Sequence, residues 1–529
     1  MRKFLRKLIR LIILTTNLKL VQLFYFIRKY TFLFNLKTSI KKKYTRLTFK
    51  NIFDLKNSYC KKTKSFNFLN KSKTFNGSIN WNYSKNGLLW TYNLNYFDFI
   101  NQNNLNNEDR LKLLKSFQQH YAISTSMADP YPTSLRIINL VKLIGSENLL
   151  YEEKTVLNTI YEDTRLLMSR IEYHLYGNHL LENGIALFLA SFVIDDKKIL
   201  NKSFNILNNE VKEQILADGA HFELCTMYHH IILKRFIELS WIISLNPRKT
   251  NDKFIKLINP VICKMLSWAS IINLNKQYPP LINDSVSNSF PCFNEISNSS
   301  KKLNLKYDSL PLSQCGFRVM TSDELNLIVD ASNILSSYQA GHSHADSLNY
   351  LIYNNNKPFI IDPGVSTYED NITRNNERST CFHNTVSING QNSSDIWGAF
   401  RVGKRATTKI IRESKNEIVA SHDGFKRKYK ATHCRRWLKI KNGFEIEDLI
   451  FTKKDNLKYK AYIHFDHSVV LNKKSINNFF FNGIALLFEG ANNIKIEKYN
   501  QPDGYNKSKT STRIVLTFNE KLITKINFF

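Results

Sequence analysis

The strongest constraint on the fold of this chain is a change in hydrophobic period near residue 310. Between residues 107 and 310, apolar residues recur at intervals of three and four, as in Leu135–Ile144 and Ile231–Leu239, which is typical of amphipathic helices. Beyond residue 310 the period becomes two, in short runs such as Leu325–Asp330 bounded by turn residues. The sequence therefore predicts an α+β two-domain fold, with stacked helical hairpins followed by a sandwich of two antiparallel sheets.

Length and composition support this division. A chain of 529 residues is long enough for two domains, and 43% hydrophobic residues with 13% aromatics exclude a disordered protein. We expect a basic N-terminal segment over residues 1–78, ending in a Lys/Asn/Ser-rich linker, a helical domain over 79–310 and a β domain over 311–529. Loops such as Asp129–Pro132 are expected to separate the helices.

Positive charge is concentrated at the N-terminus. The whole chain carries +31, and residues 1–80 hold 20 Lys and Arg against a single acid, Asp54. Such a segment indicates contact with a membrane surface, a nucleic acid or an acidic glycan, or else a solvated tail. No nucleic-acid-binding motif accompanies the charge, so a nucleic-acid partner is not expected.

The first 30 residues predict peripheral membrane contact. Met1–Arg10 is basic and Leu11–Leu14 is apolar, but the apolar run is short, with Arg10 before it and Lys19 after it, and no small-residue cleavage site follows. This pattern makes a poor signal peptide and is too broken to span a bilayer. A basic amphipathic helix lying on a membrane surface is the better interpretation.

A group of histidines and an aspartate in the β domain predicts a metal site. His342 and His344 are two apart and share one face of a strand. Asp362 follows His344 by 18 residues, and His383 comes a further 21 residues on. His344, Asp362 and His383 provide the ligand types that a zinc-like ion prefers, which leaves His342 free for proton transfer. The alternative is a set of hydrogen-bonded core histidines.

Two motifs in the helical domain carry further polar side chains. On a helix starting at Gly177, Asn178 and Glu182 are four apart, and His179 faces Glu182 and Asn183. These residues indicate either a site or a capped helix with satisfied polar groups.

The second motif places Tyr228 close to three histidines along the chain: His221, His229 and His230. Polarised neighbours of this kind would lower the pKa of a tyrosine from its usual value of about 10. The alternative is a core tyrosine with a bonded hydroxyl.

Arginines and aromatic residues complete the candidate site. Arg374, Arg378 and Arg401 flank the β-domain histidines and are expected either to hold substrate carboxylates or to lie on the surface. The aromatic-rich stretch Trp81–Phe99 is expected to be mostly core, with one or two rings lining a sugar-binding cleft.

Four stretches of this sequence resemble the heparinase II/III-like polysaccharide lyases. The likeness runs from about Trp81 to Arg405. The stretches are Gly177–Asn183, Gly219–His229, Gly341–Asp346 and Arg378–Val386, the last continuing into Gln391–Gly398. The resemblance implies an incomplete α/α toroid followed by an antiparallel β-sandwich, and cleavage of uronic-acid glycans by β-elimination.

The resemblance also implies roles for individual residues. Asn178 or His179 would neutralise the substrate carboxylate, and Tyr228 would be the acid and base. His342 would be a second base, reaching from the sandwich into the cleft opposite Tyr228. Substrate binding is assigned to Glu182, Asn183, Arg378 and Arg401. A structural zinc held by His344, Asp362 and His383 would fix the loop that carries His342.

We therefore expect a polysaccharide lyase acting on an acidic glycan, in cell-surface polysaccharide metabolism. The alternative is a non-catalytic acidic-glycan-binding protein of capsule or lipopolysaccharide assembly. The expected compartment is the cell envelope or periplasm. The alternative is the cytoplasmic side of the membrane, because no clear signal peptide is recognised.

Overall fold

The chain folds into a helical domain followed by a β domain, as the change of period predicts. A computed structural model describes residues 9–13, 15–30, 40, 42–121, 125–146, 154–248 and 251–528. Residues 1–8, part of the predicted basic helix, lie outside this described part. The helices are α1 (within 9–13), α2 (Leu20–Tyr30), α3 (Leu88–Tyr96), α4 (Asn107–Gln119), α5 (Pro130–Ser146), α6 (Lys154–Ser169), α7 (Gly177–Val193), α8 (Lys197–Gln214), α9 (Thr226–Leu245), α10 (Asp252–Ile272), α11 (Phe293–Lys301), α12 (Ile372–Glu377) and α13 (Lys426–Tyr429).

Successive long helices pack in pairs to build an incomplete α/α toroid. The pairs are α5 with α6, α7 with α8, and α9 with α10, and α5 also packs against α7. The predicted loop at Asp129–Pro132 is wrong from Pro130 onward, because α5 begins at that proline. A proline in the first turn is tolerated, since its missing N–H would have no partner within the helix.

One described helix, α10, is long and apolar enough, by length and composition alone, to cross a membrane. Its side chains Phe254, Ile258 and Met265 belong to the core of the helical domain. In this structure the apolar face of α10 therefore packs against the other helices.

The β domain follows residue 316. Its strands are β4 (Phe317–Ser322), β5 (Leu325–Asp330), β6 (Asn349–Asn354), β7 (Lys357–Ile360), β8 (Val386–Ile388), β9 (Ile396–Trp397), β10 (Arg401–Val402), β11 (Thr408–Glu413), β12 (Glu417–His422), β13 (Thr432–Ile440), β14 (Gly443–Phe451), β15 (Tyr459–His464), β16 (Asn472–Ser475), β17 (Asn478–Phe481), β18 (Ile484–Pro502) and β19 (Ser508–Phe528). All the pairings are antiparallel.

These strands form the predicted sandwich. One sheet has the order β11-β12-β13-β14-β19-β18-β17-β16, with β15 pairing β19 and β8 pairing β15; the smaller sheet is β4-β5-β6-β7. Apolar side chains of both sheets, such as Leu327 and Tyr350 of the smaller and Ile446 and Leu516 of the larger, share one core. The inward-facing rows therefore hold the two sheets face to face.

The linker predicted at the end of the basic segment 1–78 is wrong, because the chain from residue 42 onward packs on the helical domain. Strands β1 (Tyr59–Cys60), β2 (Ser65–Phe68) and β3 (Lys71–Thr74) form a small antiparallel sheet. Phe66, like Phe49 upstream of the sheet, is buried in the core of the helical domain. The signal was weak, because the buried Phe66 and Phe68 alternate with Ser65 and Asn67 on one short strand, while lysines occupy the neighbouring strand β3.

The loop between α10 and α11 joins the helical domain to the β-domain loops that carry the histidine and aspartate motifs. Asn283 Oδ1 accepts a hydrogen bond from the His344 amide at 3.0 Å, and the Val365 amide donates to Ser285 O at 3.1 Å. Gly364 has φ +71°, and a Cβ there would lie 2.6 Å from Ser285 O. Only glycine permits this close approach.

A buried ion pair in the sandwich supports the same loops from the other side. Arg435 Nε and Nη2 donate to the Asp448 carboxylate at 2.7 and 2.9 Å. Arg435 Nη1 donates to the carbonyls of Leu348 and Asn384, both at 2.6 Å. These carbonyls flank the His342–His344 and His383 motifs, so the pair holds both loops in place.

Replacing Asp448 is expected to destabilise the protein and to make its unfolding free energy less dependent on pH in acid. Burial opposes ionisation of Asp448, but Arg435 and His433 outweigh it and lower its pKa to about 2. The wild-type protein should lose about 2 kcal/mol of stability as pH falls from about 4 to about 2, because a depressed pKa stabilises the fold only while the group is ionised. Asp448→Asn should cost on the order of 3 kcal/mol at neutral pH by leaving Arg435 unpaired. Urea unfolding across pH measures both effects.

The matched control is Glu162→Gln, which removes an exposed i,i+3 pair with Arg165. Its effect should stay within about 1 kcal/mol. Equal losses in the two variants would contradict a structural role for the buried pair.

Candidate functional site

The candidate site lies where the two domains meet, around Asp284 of the α10–α11 loop. His342 Nδ1 and His344 Nε2 each lie 2.8 Å from one oxygen of the Asp284 carboxylate. Arg374 binds the same carboxylate with both terminal nitrogens, Nη2 at 2.6 Å. All four side chains are buried. A carboxylate from the helical domain thus receives three partners from the β domain.

The charge of Asp284 sets the orientation of both imidazoles. Burial opposes its ionisation, but Arg374 and the bonds from His342 and His344 outweigh burial and hold its pKa well below its usual value. An ionised carboxylate only accepts hydrogen bonds, so His342 Nδ1 and His344 Nε2 must carry the protons. The free lone pairs are therefore on His342 Nε2 and His344 Nδ1.

Tyr228, on the first turn of α9, meets His342 as predicted. The two ring centroids are 4.2 Å apart. The Tyr228 hydroxyl donates to the Tyr368 hydroxyl at 3.4 Å, and Tyr368 donates to the Asp284 main-chain carbonyl at 2.8 Å. One phenol from the helical domain and one imidazole from the β domain therefore share a site.

The predicted lowering of the Tyr228 pKa is wrong. Burial raises its pKa well above the usual value, and the charges of neighbouring tyrosines act in the same direction. The histidines close to it in sequence turn elsewhere: His229 contacts Met265 O and His230 contacts Pro291 O. In the free protein at neutral pH, Tyr228 is therefore a protonated phenol.

Asn178 and His179 begin α7 at the same junction. His179 Nδ1 lies 3.1 Å from Glu172 Oε1, and its ring stacks 4.3 Å from that of Tyr131. Burial alone lowers the pKa of His179, but the Glu172 carboxylate outweighs burial and raises it above its usual value. His179 is therefore a half-buried imidazole whose protonated, cationic form is favoured.

The predicted contacts of His179 with Glu182 and Asn183 are wrong, because its partner is Glu172. Asn183 is fully buried, donates to Glu172 Oε2 at 3.0 Å and accepts from the Glu172 amide at 2.9 Å. Glu182 is buried and paired with Arg235 at 3.0 Å. In this structure Asn183 positions Glu172, and Glu182 belongs to an ion pair inside the toroid.

The predicted substrate-binding arginines separate into a buried and an exposed one. Arg378 is fully buried and donates to the carbonyls of Ser343, Gly398 and Ala399 at 3.0–3.1 Å. It therefore holds loops together. Arg401 is exposed and stacks 4.7 Å from the Trp397 ring, which leaves its guanidinium available to an anion.

Two of the three predicted metal ligands are brought together, with a third that was not predicted. Donor atoms of Asp346, Asp362 and His383 all lie within 4.8 Å of one another. His344 lies outside this group, although its ring is 5.2 Å from that of His383. His383 donates from Nδ1 to Asp362 Oδ2 at 2.9 Å, which leaves the lone pair of Nε2 for another partner.

The donor atoms of this group fit a cation. Among the described residues, His383 Nε2, His344 Nδ1 and Asp346 Oδ2 are buried without a hydrogen-bond partner. Buried polar atoms without partners are rare in folded proteins. A cavity of about 20 Å³ is lined in part by His344, Asp346 and Glu223, which is room for about one water or ion.

Sequence reasoning missed Asp284, Glu172 and Glu223. Glu223 is buried, its Oε2 lies 3.9 Å from His342 Nε2, and burial raises its pKa. Gly177 has φ +60°, and a Cβ there would lie 2.9 Å from Glu223 Oε1, so glycine lets α7 approach this carboxylate. Glu223 lies within the Gly219–His229 stretch and was open to recognition, whereas Asp284 and Glu172 have no motif around them.

Tyrosines line the helical side of the junction. Tyr92, Tyr96 and Tyr131 are half-buried and follow one another, with ring centroids 6.5 and 6.0 Å apart. Trp81 and Trp90 are fully buried in the core. The expectation that most of this aromatic stretch is core is therefore confirmed for Trp81 and Trp90, and the expectation that one or two of its rings line a sugar-binding cleft stays a prediction.

Comparisons with known families match nearly all of the chain from residue 63 onward. The family described as heparinase II/III N-terminus matches residues 63–303, and the family described as heparinase II/III-like, C-terminal, matches residues 305–528. The two matched regions meet close to the change of hydrophobic period.

Two curated relatives are similar over part of their length. A protein named heparin-sulfate lyase from Bacteroides thetaiotaomicron is 26% identical over 291 residues, covering 45% of this chain and 40% of that protein. Another of the same name from Bacteroides stercoris is 24% identical over 261 residues, covering 42% and 37%. The match spans about two fifths of the length of these relatives.

Solved structures share the fold over most of the chain. A crystal structure of heparinase III has a TM-score of 0.66 at 18% identity, covering 96% of this chain and 91% of that chain. Heparan sulfate lyase HepC from Pedobacter heparinus has a TM-score of 0.52 at 17% identity, covering 87% and 80%. These likenesses establish the toroid and sandwich architecture.

Proposed function

Because this chain belongs to the heparinase II/III-like family, we propose that it is a polysaccharide lyase that cleaves an acidic, uronic-acid-containing glycan by β-elimination. The observation that carries the proposal is the contact between Tyr228 and His342, with ring centroids 4.2 Å apart across the domain junction. Two proton-transfer groups from different domains, facing each other, suit a reaction that removes one proton and delivers another.

β-Elimination requires three tasks of the protein. The C5 proton of the uronate leaves, a C4–C5 double bond forms, the C4–O4 bond breaks, and O4 takes up a proton. Negative charge develops on the uronate carboxylate as the C5 proton leaves, so a donor or cation must stabilise it. A base must accept the C5 proton, and an acid must protonate O4.

The described residues suit these tasks. His179, whose pKa is raised above its usual value through Glu172, would stabilise the carboxylate together with Asn178. His342, with Asp284 on Nδ1, would accept the C5 proton at Nε2. Tyr228, a protonated phenol, would donate to O4. For a substrate whose C5 proton and O4 lie on the same side of the sugar ring, Tyr228 would act first as the base and then as the acid. It would first lose its own proton to a neighbouring group.

The proposed substrate is a polyanion. The two curated relatives are named heparin-sulfate lyase, and heparin sulfate is by that name a sulfated glycan. The net charge of +31 favours attraction of such a chain. Arg401, exposed beside Phe400 and Trp397, would hold an anionic group at the rim, and Tyr96 and Tyr131 would stack on sugar rings.

The test is ultraviolet absorbance of the unsaturated uronate product, followed with purified protein on heparan sulfate, chondroitin sulfate and alginate. Growth of absorbance on at least one glycan, together with new reducing ends, supports the lyase. A glycan that is retained by the protein but stays uncut would replace the lyase with a non-catalytic glycan-binding protein.

We further propose that Asp346, Asp362 and His383, with His344 alongside, hold a structural zinc ion. The donor set of imidazoles and carboxylates suits zinc, and the buried donor atoms without partners support a bound cation. A cation there would neutralise the two carboxylates and keep the loop that carries His342 in place. The steps assigned to Tyr228, His342 and His179 proceed on protein side chains.

Loss of the metal is expected to lower stability. Protein purified without chelator should contain about one zinc per chain by elemental analysis, and His383→Ala should contain less than about a tenth of that. The wild-type melting temperature should fall on chelation by several degrees or more, and that of His383→Ala should not respond. His433→Ala, in the sandwich network with Asp448, is the control that should keep its zinc. Wild-type protein without metal would remove this proposal and leave the lyase intact.

A further inference from the structure

The N-terminal segment over residues 9–30 is attached to both domains beside the candidate site. Arg10 binds Asp395 with Nε at 2.8 Å and Nη2 at 2.5 Å, and its guanidinium lies 5.3 Å from the Trp397 ring. Lys19 pairs with Glu213 of the helical domain. Its ammonium also lies 4.2 Å from the ring of Tyr338, which belongs to the β domain. The segment therefore has a defined position at the domain junction.

Helix α2 packs on the body of the protein with its polar side. Gln22 is buried and donates to His174 O at 3.4 Å, and the Tyr25 ring lies 4.8 Å from that of Tyr173. This orientation is the reverse of that of an ordinary surface helix, whose apolar side faces the core. The apolar side of α2 is therefore directed outward.

The outward side is an apolar ridge formed by Leu20, Phe24 and Ile27. These residues are spaced by four and three, so they lie on one face of the helix. Their exposed fractions are 83%, 61% and 63%. Ile9, Leu11 and Ile12 of α1 are exposed as well. An exposed apolar helix face of this kind marks a docking site.

We propose that the apolar ridge docks the protein on the surface of an anionic lipid bilayer. Charge complementarity selects this occupant: residues 1–30, the part of the chain that contains the ridge, carry eight Lys and Arg and no acid. An exposed apolar helix face flanked by basic residues is the arrangement that inserts into the headgroup region of anionic membranes. A second copy of the chain would bring two strongly basic segments together, which opposes self-association through this face.

Docking through the ridge would place the candidate site at the membrane. Arg10 contacts Asp395 and Trp397, and the same hairpin carries Phe400, whose ring centroid is 5.8 Å from that of His342. The bilayer would therefore lie near one rim of the junction, where a lipid-anchored glycan is within reach. This consequence rests on the proposed function, whereas the docking itself does not.

The test is co-sedimentation of the full chain with phosphatidylcholine vesicles prepared with and without phosphatidylglycerol. Wild-type protein is expected to sediment with the anionic vesicles and to be released by high salt. The triple variant Leu20→Ser, Phe24→Ser, Ile27→Ser keeps every charge and should bind the anionic vesicles at least about tenfold more weakly than wild type. The matched control is Val470→Ser with Ile476→Ser, which removes apolar side chains 69% and 77% exposed in the β domain and should bind like wild type.

The readouts separate docking from folding and from catalysis. The triple variant should keep the wild-type melting temperature and its rate on a soluble glycan, because the substituted side chains face outward. Equal vesicle binding by wild type and the triple variant would overturn the proposal. So would a wild-type dimer in light scattering that becomes monomeric in the triple variant while neither binds vesicles, since the ridge would then be a self-association surface.

Discussion

Tyr228→Phe is expected to lower kcat on the glycan that gives the strongest ultraviolet signal by a factor of about 10² to 10⁴, with little change in KM. The substitution removes the only proton that the phenol can transfer, and general acid catalysis is worth this factor. The ring that packs against His342 is retained, so binding should persist. Initial rates of absorbance increase, taken over a range of glycan concentrations, give both constants.

The control for this substitution is Tyr44→Phe. The Tyr44 hydroxyl is buried without a partner among the described residues, and Tyr44 pairs with Ile194 at the end of α7, away from Asp284. Its kcat should match wild type. A Tyr228→Phe variant that retains full kcat would remove Tyr228 from the mechanism, and with it the observation on which the lyase proposal depends.

Asp284→Asn is expected to reduce both activity and stability. The neutral side chain no longer balances Arg374, and a buried charge left without its partner costs about 3–5 kcal/mol. The amide also fails to impose a single orientation on His342, since it can either donate or accept at Nδ1. We expect kcat to fall about a hundredfold or more, measured by product absorbance, with the unfolding free energy measured in urea.

Asp163→Asn separates these two effects. Asp163 is buried inside the helical domain and forms a bidentate ion pair with Arg136, whose Nε and Nη2 each lie 2.7 Å from one carboxylate oxygen. It should lose a similar amount of stability and keep its kcat per folded molecule. If the Asp284 variant keeps kcat as well, Asp284 is a structural anchor between the domains and does not orient His342 for catalysis.

The architecture was predictable because helices and strands each have a characteristic spacing of apolar residues along the chain. Apolar spacing of three and four predicted the toroid helices, and alternation predicted strands such as β5 and β6, with the division near residue 310. The region from residue 42 to 78 was not predictable in this way. Its buried residues Phe49 and Phe66 are separated by many lysines, and only packing against the helical core distinguishes them from a solvated tail.

The candidate site was predictable in part. Tyr228, His342 and His383 lie within recognisable stretches, and Asp362 was chosen by residue type and spacing. Tyr228 meets His342, and Asp362 meets His383, as predicted. The predicted direction of the Tyr228 pKa was wrong, because neighbours along the chain are not neighbours in space. Burial decides that shift, and burial is a property of the folded protein.

The sequence by itself determined which segments are helices and strands, and which side chains are able to transfer a proton or bind a metal, because these properties depend on local spacing and residue type. The tertiary structure alone decided how those side chains are paired. Asp284 reaches His342, His344 and Arg374 from between 58 and 90 residues away, from a loop with no distinguishing pattern. Electrostatic interactions depend on distance in space, and these side chains come within hydrogen-bonding distance only when the two domains are packed together.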